Sequence, residues 1–159
     1  MNYTFSNSTT MTSSTIIEDY FPVIIEYDKE ELNNKFIEFN YQDTDMLEIS
    51  VNPKTNLLKR LSLSLCNHYS IEDALLSAPA ADEGSLSIEG PASTECDKFL
   101  VKVFNDGIQI DLSSKEVVHN YKCGQVIYSI SADNTLTAVY IPSLAENELA
   151  HAKRELLGE

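Results

Sequence analysis

Apolar and polar side chains alternate with a period of two along most of this 159-residue chain, the pattern of strands with one buried and one wet face. In PVIIEYD, Val23, Ile25 and Tyr27 fall on one side, with Ile24 and Glu26 on the other. In KFIEFNYQ, Ile37, Phe39 and Tyr41 alternate with Glu38 and Asn40. LEISVNPKTNLLKRLSLSLC predicts a hairpin. Leu47, Ile49 and Val51 alternate with Glu48 and Ser50, and Asn52, Pro53, Thr55 and Asn56 supply the turn. Leu57, Leu61, Leu63 and Leu65 then line the return strand, opposite Arg60, Ser62 and Ser64. FLVKVFNDGIQIDLS repeats the design, with Asp106-Gly107 suited to the positive φ angles of a tight turn. YKCGQVIYSIS and TLTAVYI make a further pair, joined through Ala132, Asp133 and Asn134.

Elsewhere the period changes. SIEDALLS predicts a short helix, with Ser70 as N-cap and Asp73 as the acidic partner of a capping box. A second helix closes the chain. Ser143 is its expected N-cap, Glu146 the capping-box acid, Ala145, Leu149, Ala152 and Leu156 the apolar stripe, and Gly158 the stop. APAADEGSLSIEGPAST reads as a long loop; a linker between two domains is its rival reading, but neither flank is large enough to favour it. The fold class expected is mainly β (α+β), an antiparallel sheet or sandwich of hairpins in seven or eight strands with a C-terminal helix. Residues 1–15, rich in Ser, Thr and Asn, are expected to form a disordered tail before a single β-rich domain over residues 16–159.

Charge changes the picture most. Twenty-five acids against eleven bases give a net −14, beyond the magnitude of about 2–8 that keeps a small domain soluble. Such a field repels phosphate backbones and anionic lipids, so neither nucleic acid nor a membrane is an expected partner, whereas basic protein surfaces are attracted. Acids concentrate in residues 16–48, with ten acids and two bases, and in residues 71–97, with seven acids and no base. Three cysteines without regular spacing fit a reducing compartment. The N-terminal residues lack the basic and apolar regions of a secretory signal, and no apolar run is long enough to span a bilayer. The cytoplasm is the expected location.

Candidate chemistry is sparse. Cys66, His68, His119 and Cys123 have the residue types of a tetrahedral zinc shell but not its usual spacings. Cys66 and His68, two apart on a strand, diverge and make a poor nucleophile pair. Asp43 and Asp45 lack the glycine and distal Glu of a calcium loop. The absence of tryptophan leaves a glycosidase without its aromatic platforms, and no phosphate-binding glycine loop or G-x-S-x-G elbow occurs. No cofactor or metal is expected, and the expectation is a protein that is not an enzyme.

A small, acidic, motif-free β-rich chain with hairpins such as LEISVNPKTNLLKRLSLSL and VKVFNDGIQIDLS resembles the bacterial immunity proteins paired with contact-dependent growth-inhibition toxins. The resemblance implies a stoichiometric inhibitor that covers the active site of a cognate toxin domain, often a basic nuclease. From charge and predicted loop position, the toxin-binding residues expected are Asp43, Asp45, Glu72, Asp73, Asp82 and Glu83. An alternative is a small-ligand-binding or enzymatic β domain with a pocket between sheet and helix, including His119 or His68. A third, a subunit of a larger assembly, would show a large exposed apolar patch.

Overall fold

The computed structural model describes residues 1–27 and 34–158. In chain order its strands are β1 (Asn2–Ser6), β2 (Ser14–Glu18), β3 (Phe21–Glu26), β4 (Lys35–Tyr41), β5 (Asp45–Val51) and β6 (Leu58–Leu65). Four short strands follow: β7 (Tyr69–Ile71), β8 (Asp82–Glu83), β9 (Ser85–Glu89) and β10 (Ser93–Glu95). The last five are β11 (Leu100–Val103), β12 (Ile108–Asp111), β13 (Val117–Cys123), β14 (Val126–Ser131) and β15 (Leu136–Ile141), before helix α1 (Glu146–Leu157).

Two sheets result, one of six strands in the order β10-β4-β5-β6-β3-β2 and one of seven in the order β7-β11-β12-β15-β14-β13-β8; β1 and β9 form a separate ribbon. Pairing is mostly antiparallel. The alternating apolar residues of both sheets meet in one continuous core, Val23, Ile25, Ile37, Leu47, Ile49 and Leu61 from the first and Val101, Ile108, Ile110, Tyr128, Ile130 and Val139 from the second. Each such side chain contributes about 1.5–3 kcal/mol by leaving water. A hydrogen bond of 2.9 Å between the hydroxyls of Tyr27 and Tyr128 links the two sheets through that core. Burial and this shared bond push the Tyr27 hydroxyl well above its ordinary pKa, so it stays protonated.

Helix α1 runs from the β11–β12 turn, where the Leu144 N–H donates to the Asp106 carbonyl, to the β2–β3 turn. Leu149, Ala152 and Leu156 are buried as its stripe predicts, and Gly158 ends it in the left-handed conformation. Its start is two residues later than expected. Ala145 is the N-cap, and Glu148 accepts from the Ala145 N–H at 2.8 Å, so the acidic half of a capping box is present without a capping hydroxyl. The buried His151 adds a lock, its Nε2 shared between the carbonyls of Glu18 and Phe21.

Several expectations are corrected. Residues 70–77 form no helix; Tyr69–Ile71 is a strand running parallel to β11. The tail over residues 1–15 is not without structure. Tyr3 and Phe5 alternate with exposed Asn2 and Thr4, and that short period suffices for β1 to pair with β9. Its polar surroundings hide the pattern in the sequence. On β6, Leu58 rather than Leu57 joins the core because the register slips between Ser50 and Val51, and Ser62 is buried on the opposite face beside the buried Ile24 of β3. YKCGQVIYSIS is itself a hairpin, turning between Cys123 and Val126. Gly107 does not adopt a positive φ; it is glycine because a Cβ there would lie 2.6 Å from the Ile141 carbonyl.

The segment expected to be a loop holds β8, β9 and the start of β10; its β8 and β10, together with β7 just before it, cover sheet edges. β7 and β8 flank the two sides of the seven-stranded sheet and β10 flanks the six-stranded one, each in parallel pairing. Short strands bearing acids at sheet edges hinder edge-to-edge association between molecules.

Candidate functional site

The stretch with Cys66 and His68 has a structural role. Asp45 opens β5 with its carboxylate inside the protein, accepting from Asn67 N–H at 2.6 Å, His68 N–H at 3.2 Å, Thr44 hydroxyl at 2.7 Å and His68 Nδ1 at 2.7 Å. Burial alone would raise the pKa of Asp45, but these bonds outweigh it and hold the carboxyl below its ordinary value. Asp45 thus fastens the β6–β7 connection to the β4–β5 hairpin. It is 1% exposed and presents nothing to a partner, which corrects its place among the expected binding residues. The Cys66 thiol donates to the His68 carbonyl, and burial, then the Asp45 charge, push its pKa up to about 12. It is therefore a thiol at neutral pH rather than a nucleophilic thiolate. Among the described residues no group of three or more His, Cys, Asp and Glu is placed to hold a metal ion.

The other expected residues are exposed or half-buried but do not converge. Glu72 and Asp73 lie beside the β11–β12 turn, where Asp73 accepts from Asn105 at 3.3 Å. Asp82 and Glu83 form β8 at the opposite side of the same sheet, next to Tyr121 and Lys122. Six strand spacings separate the two pairs, roughly 29 Å. Asp28, Glu30 and Glu31 of the first acidic stretch lie outside the described residues.

Asp43 has different company. Gln42 and Asp43 both have positive φ, 50° and 57°, and the Thr44 N–H donates to the Tyr41 carbonyl at 3.0 Å, a tight two-residue hairpin turn. The Gln42 N–H donates to Glu95 Oε1 at 2.9 Å, which ties the turn to β10. β10 runs parallel to β4, and Asn40 Nδ2 bridges Ser93 at 2.8 Å and Glu38 at 3.5 Å. Glu38, Asp43, Glu95 and Asp97 therefore share one corner of the molecule. Sequence reasoning misses Glu38, which reads as the wet face of a strand, and Glu95 and Asp97, because the pairing of residues 93–95 with β4 leaves no pattern; a thiol bracketed by acids in Glu95-Cys96-Asp97 is the signal there.

Beside this corner lies a cleft of about 430 Å³ where the two sheets approach. Phe39, Leu112 and Leu136 give it an apolar floor, with Met1 and Tyr3 of the N-terminal ribbon at one side. Glu95, Asp97, Thr94, Ser113 and Asn134 supply polar groups. Lys115 also lines it, but its ammonium is held by Asp133 at 2.5 Å and by Thr135 at 3.1 Å. That ammonium, with help from Ser131 and Thr135, keeps the Asp133 carboxyl far below its usual range. The Cys96 thiol reports the local field: burial, then Glu95 and Asp97, push its pKa up to about 12.

Two other grooves flank the helix, one at Asn105, Leu144 and Leu149 and one at Tyr20 and Arg154, each about 530 Å³. Neither His68 nor His119 lines them. His119 instead stacks on Tyr121, which stacks on Phe5 with ring centroids 4.3 Å apart. No helix among the described residues is long and apolar enough to cross a membrane. No protein-family model matches the chain, and no curated protein matches it.

Proposed function

We propose that this chain is a non-enzymatic binding protein that neutralises a basic partner, as immunity proteins neutralise toxin domains, by presenting the acidic corner around Glu38, Asp43, Glu95 and Asp97. The observation that carries the reading is their gathering on β4, its turn and β10, beside a half-apolar cleft. A surface of that kind accelerates encounter through its field, while buried contacts supply most of the affinity. Asp43 stays in the binding set, Asp45 leaves it for a structural role, and Glu72, Asp73, Asp82 and Glu83 extend the field from the sheet's two sides. Three free cysteines, all without disulfide partners, support a reducing location such as the cytoplasm.

The test is stopped-flow association with a basic nuclease toxin domain, at increasing salt. The association rate should fall by one to three orders of magnitude from low to high ionic strength, as about that much acceleration comes from steering. Rates indifferent to salt would remove the mechanism. A second reading, small-ligand binding, draws on the same cleft, whose volume falls within the range of ligand pockets, about 300–1,000 Å³.

A further inference from the structure

We infer that the corner cleft is a receptor for an arginine side chain of the partner. The inference rests on the acidic-docking reading and names the group that enters the site. The floor of Phe39, Leu112 and Leu136 matches the methylene stem of a long cationic side chain, which buries its carbons while keeping its charged end at a polar rim.

The rim supplies the charge. Glu95 uses Oε1 to hold the Gln42 N–H, and Asp97 uses Oδ2 to accept from the Ser114 hydroxyl at 3.4 Å. Among the described residues each keeps a second carboxylate oxygen without a partner. Lys115 does not neutralise them, because Asp133 and Thr135 hold its ammonium. Counting side chains alone, Glu95, Asp97 and Asp133 against Lys115, the lining carries a net −2. The Thr94 and Ser113 hydroxyls and the Asn134 carbonyl add neutral acceptors around it. Several acceptors spread about one opening suit the flat, five-donor guanidinium better than a compact ammonium. The anchoring of Glu95 through the β4–β5 turn holds the rim in place before the partner arrives, which lowers the ordering cost of binding.

The experiment uses N-acetyl-arginine methylamide as the probe and the uncharged, nearly isosteric citrulline compound as its control, followed through backbone amide shifts of the full chain. Saturable shifts confined to residues 94–97, 112–115 and 133–136, absent with citrulline, support the site. The double variant E95Q/D97N should weaken the arginine response by about fivefold or more, whereas D19N/E146Q, two exposed acids outside the cleft and outside the binding set, should leave it unchanged. Equal shifts with citrulline, or shifts spread over every acidic region, overturn the inference. Unchanged circular dichroism and melting temperature show that the variants remain folded.

A second arm separates this claim from the one beneath it. With the whole toxin domain, E95Q/D97N should speed dissociation by about tenfold. Association that responds to salt combined with an unaffected dissociation rate overturns the arginine site and leaves acidic docking standing. Arginine binding in the cleft combined with salt-independent association keeps the site and removes the docking mechanism.

Discussion

Tyr20 and Asp45 show how single residues here serve opposite ends. Tyr20 has a φ of 72° and is 86% exposed, so a bulky side chain sits in a conformation that costs about 1–2 kcal/mol outside glycine, with no burial to offset it. Tyr20→Gly should raise stability by about 0.5–1 kcal/mol after glycine's greater unfolded-state freedom is subtracted, read from urea denaturation. A loss of stability would mean that the ring packs on something in solution. Asp45 is the reverse case, polar and indispensable. Asp45→Ala strands the N–H groups of Asn67 and His68 and should cost about 2–4 kcal/mol. The sign with pH follows from its lowered pKa. The stabilisation is full above the ordinary carboxylate value, about 3.9, and is lost as pH falls through the lower folded value. Asp45→Asn should therefore flatten the stability curve below about pH 4 relative to the parent chain, whatever the other acids do.

Between residue and molecule stands the β1–β9 ribbon, the element that was hardest to foresee. A Cβ on Gly84 would lie 2.1 Å from the Ser6 carbonyl and 2.8 Å from the Phe5 ring, so Gly84→Ala should dislodge β1 and expose Phe5. Phe5→Ala removes the stack on Tyr121 and should cost about 2 kcal/mol, less than a fully buried Phe. If neither substitution lowers the melting temperature, β1 is a marginal attachment. This element also marks where sequence reading stops. Strands such as Lys35–Tyr41 and Leu100–Val103 announce themselves because their alternation is strong and their inner faces meet a core. β7, β8 and β10 span only two or three residues, too few to show a period, and exist because a neighbouring edge offers unpaired backbone groups. The candidate site inherits that illegibility. Asp43 was visible as an acid in a turn, but Glu95 joins it only through the pairing of β10 with β4, a relation between residues 53 apart. Buried Asp45 escapes the sequence for the opposite reason, since a charged residue next to a turn reads as exposed until its donors are known.

Charge is a property of the whole molecule. Even if each of the eleven bases neutralised one acid, fourteen carboxylates would stay unmatched, so self-repulsion must be carried by the folded state. Salt acts on this repulsion and on the ion pairs in opposite directions. Arg60–Glu18 and Lys115–Asp133 are exposed or partly exposed pairs, and screening weakens them. Repulsion among the unmatched acids is summed over many more partners, and lowering the Debye length from about 30 Å at 0.01 M to about 10 Å at 0.1 M relieves it. The free protein should therefore melt at a higher temperature as sodium chloride is raised over that range. Bound to a basic partner, the same carboxylates become attractive groups, so the complex should melt at a lower temperature over the same titration. Two calorimetric series, one with the partner and one without, test this opposition directly. If both rise together, the surplus carboxylates serve the solubility of this chain and do not meet the partner's charge.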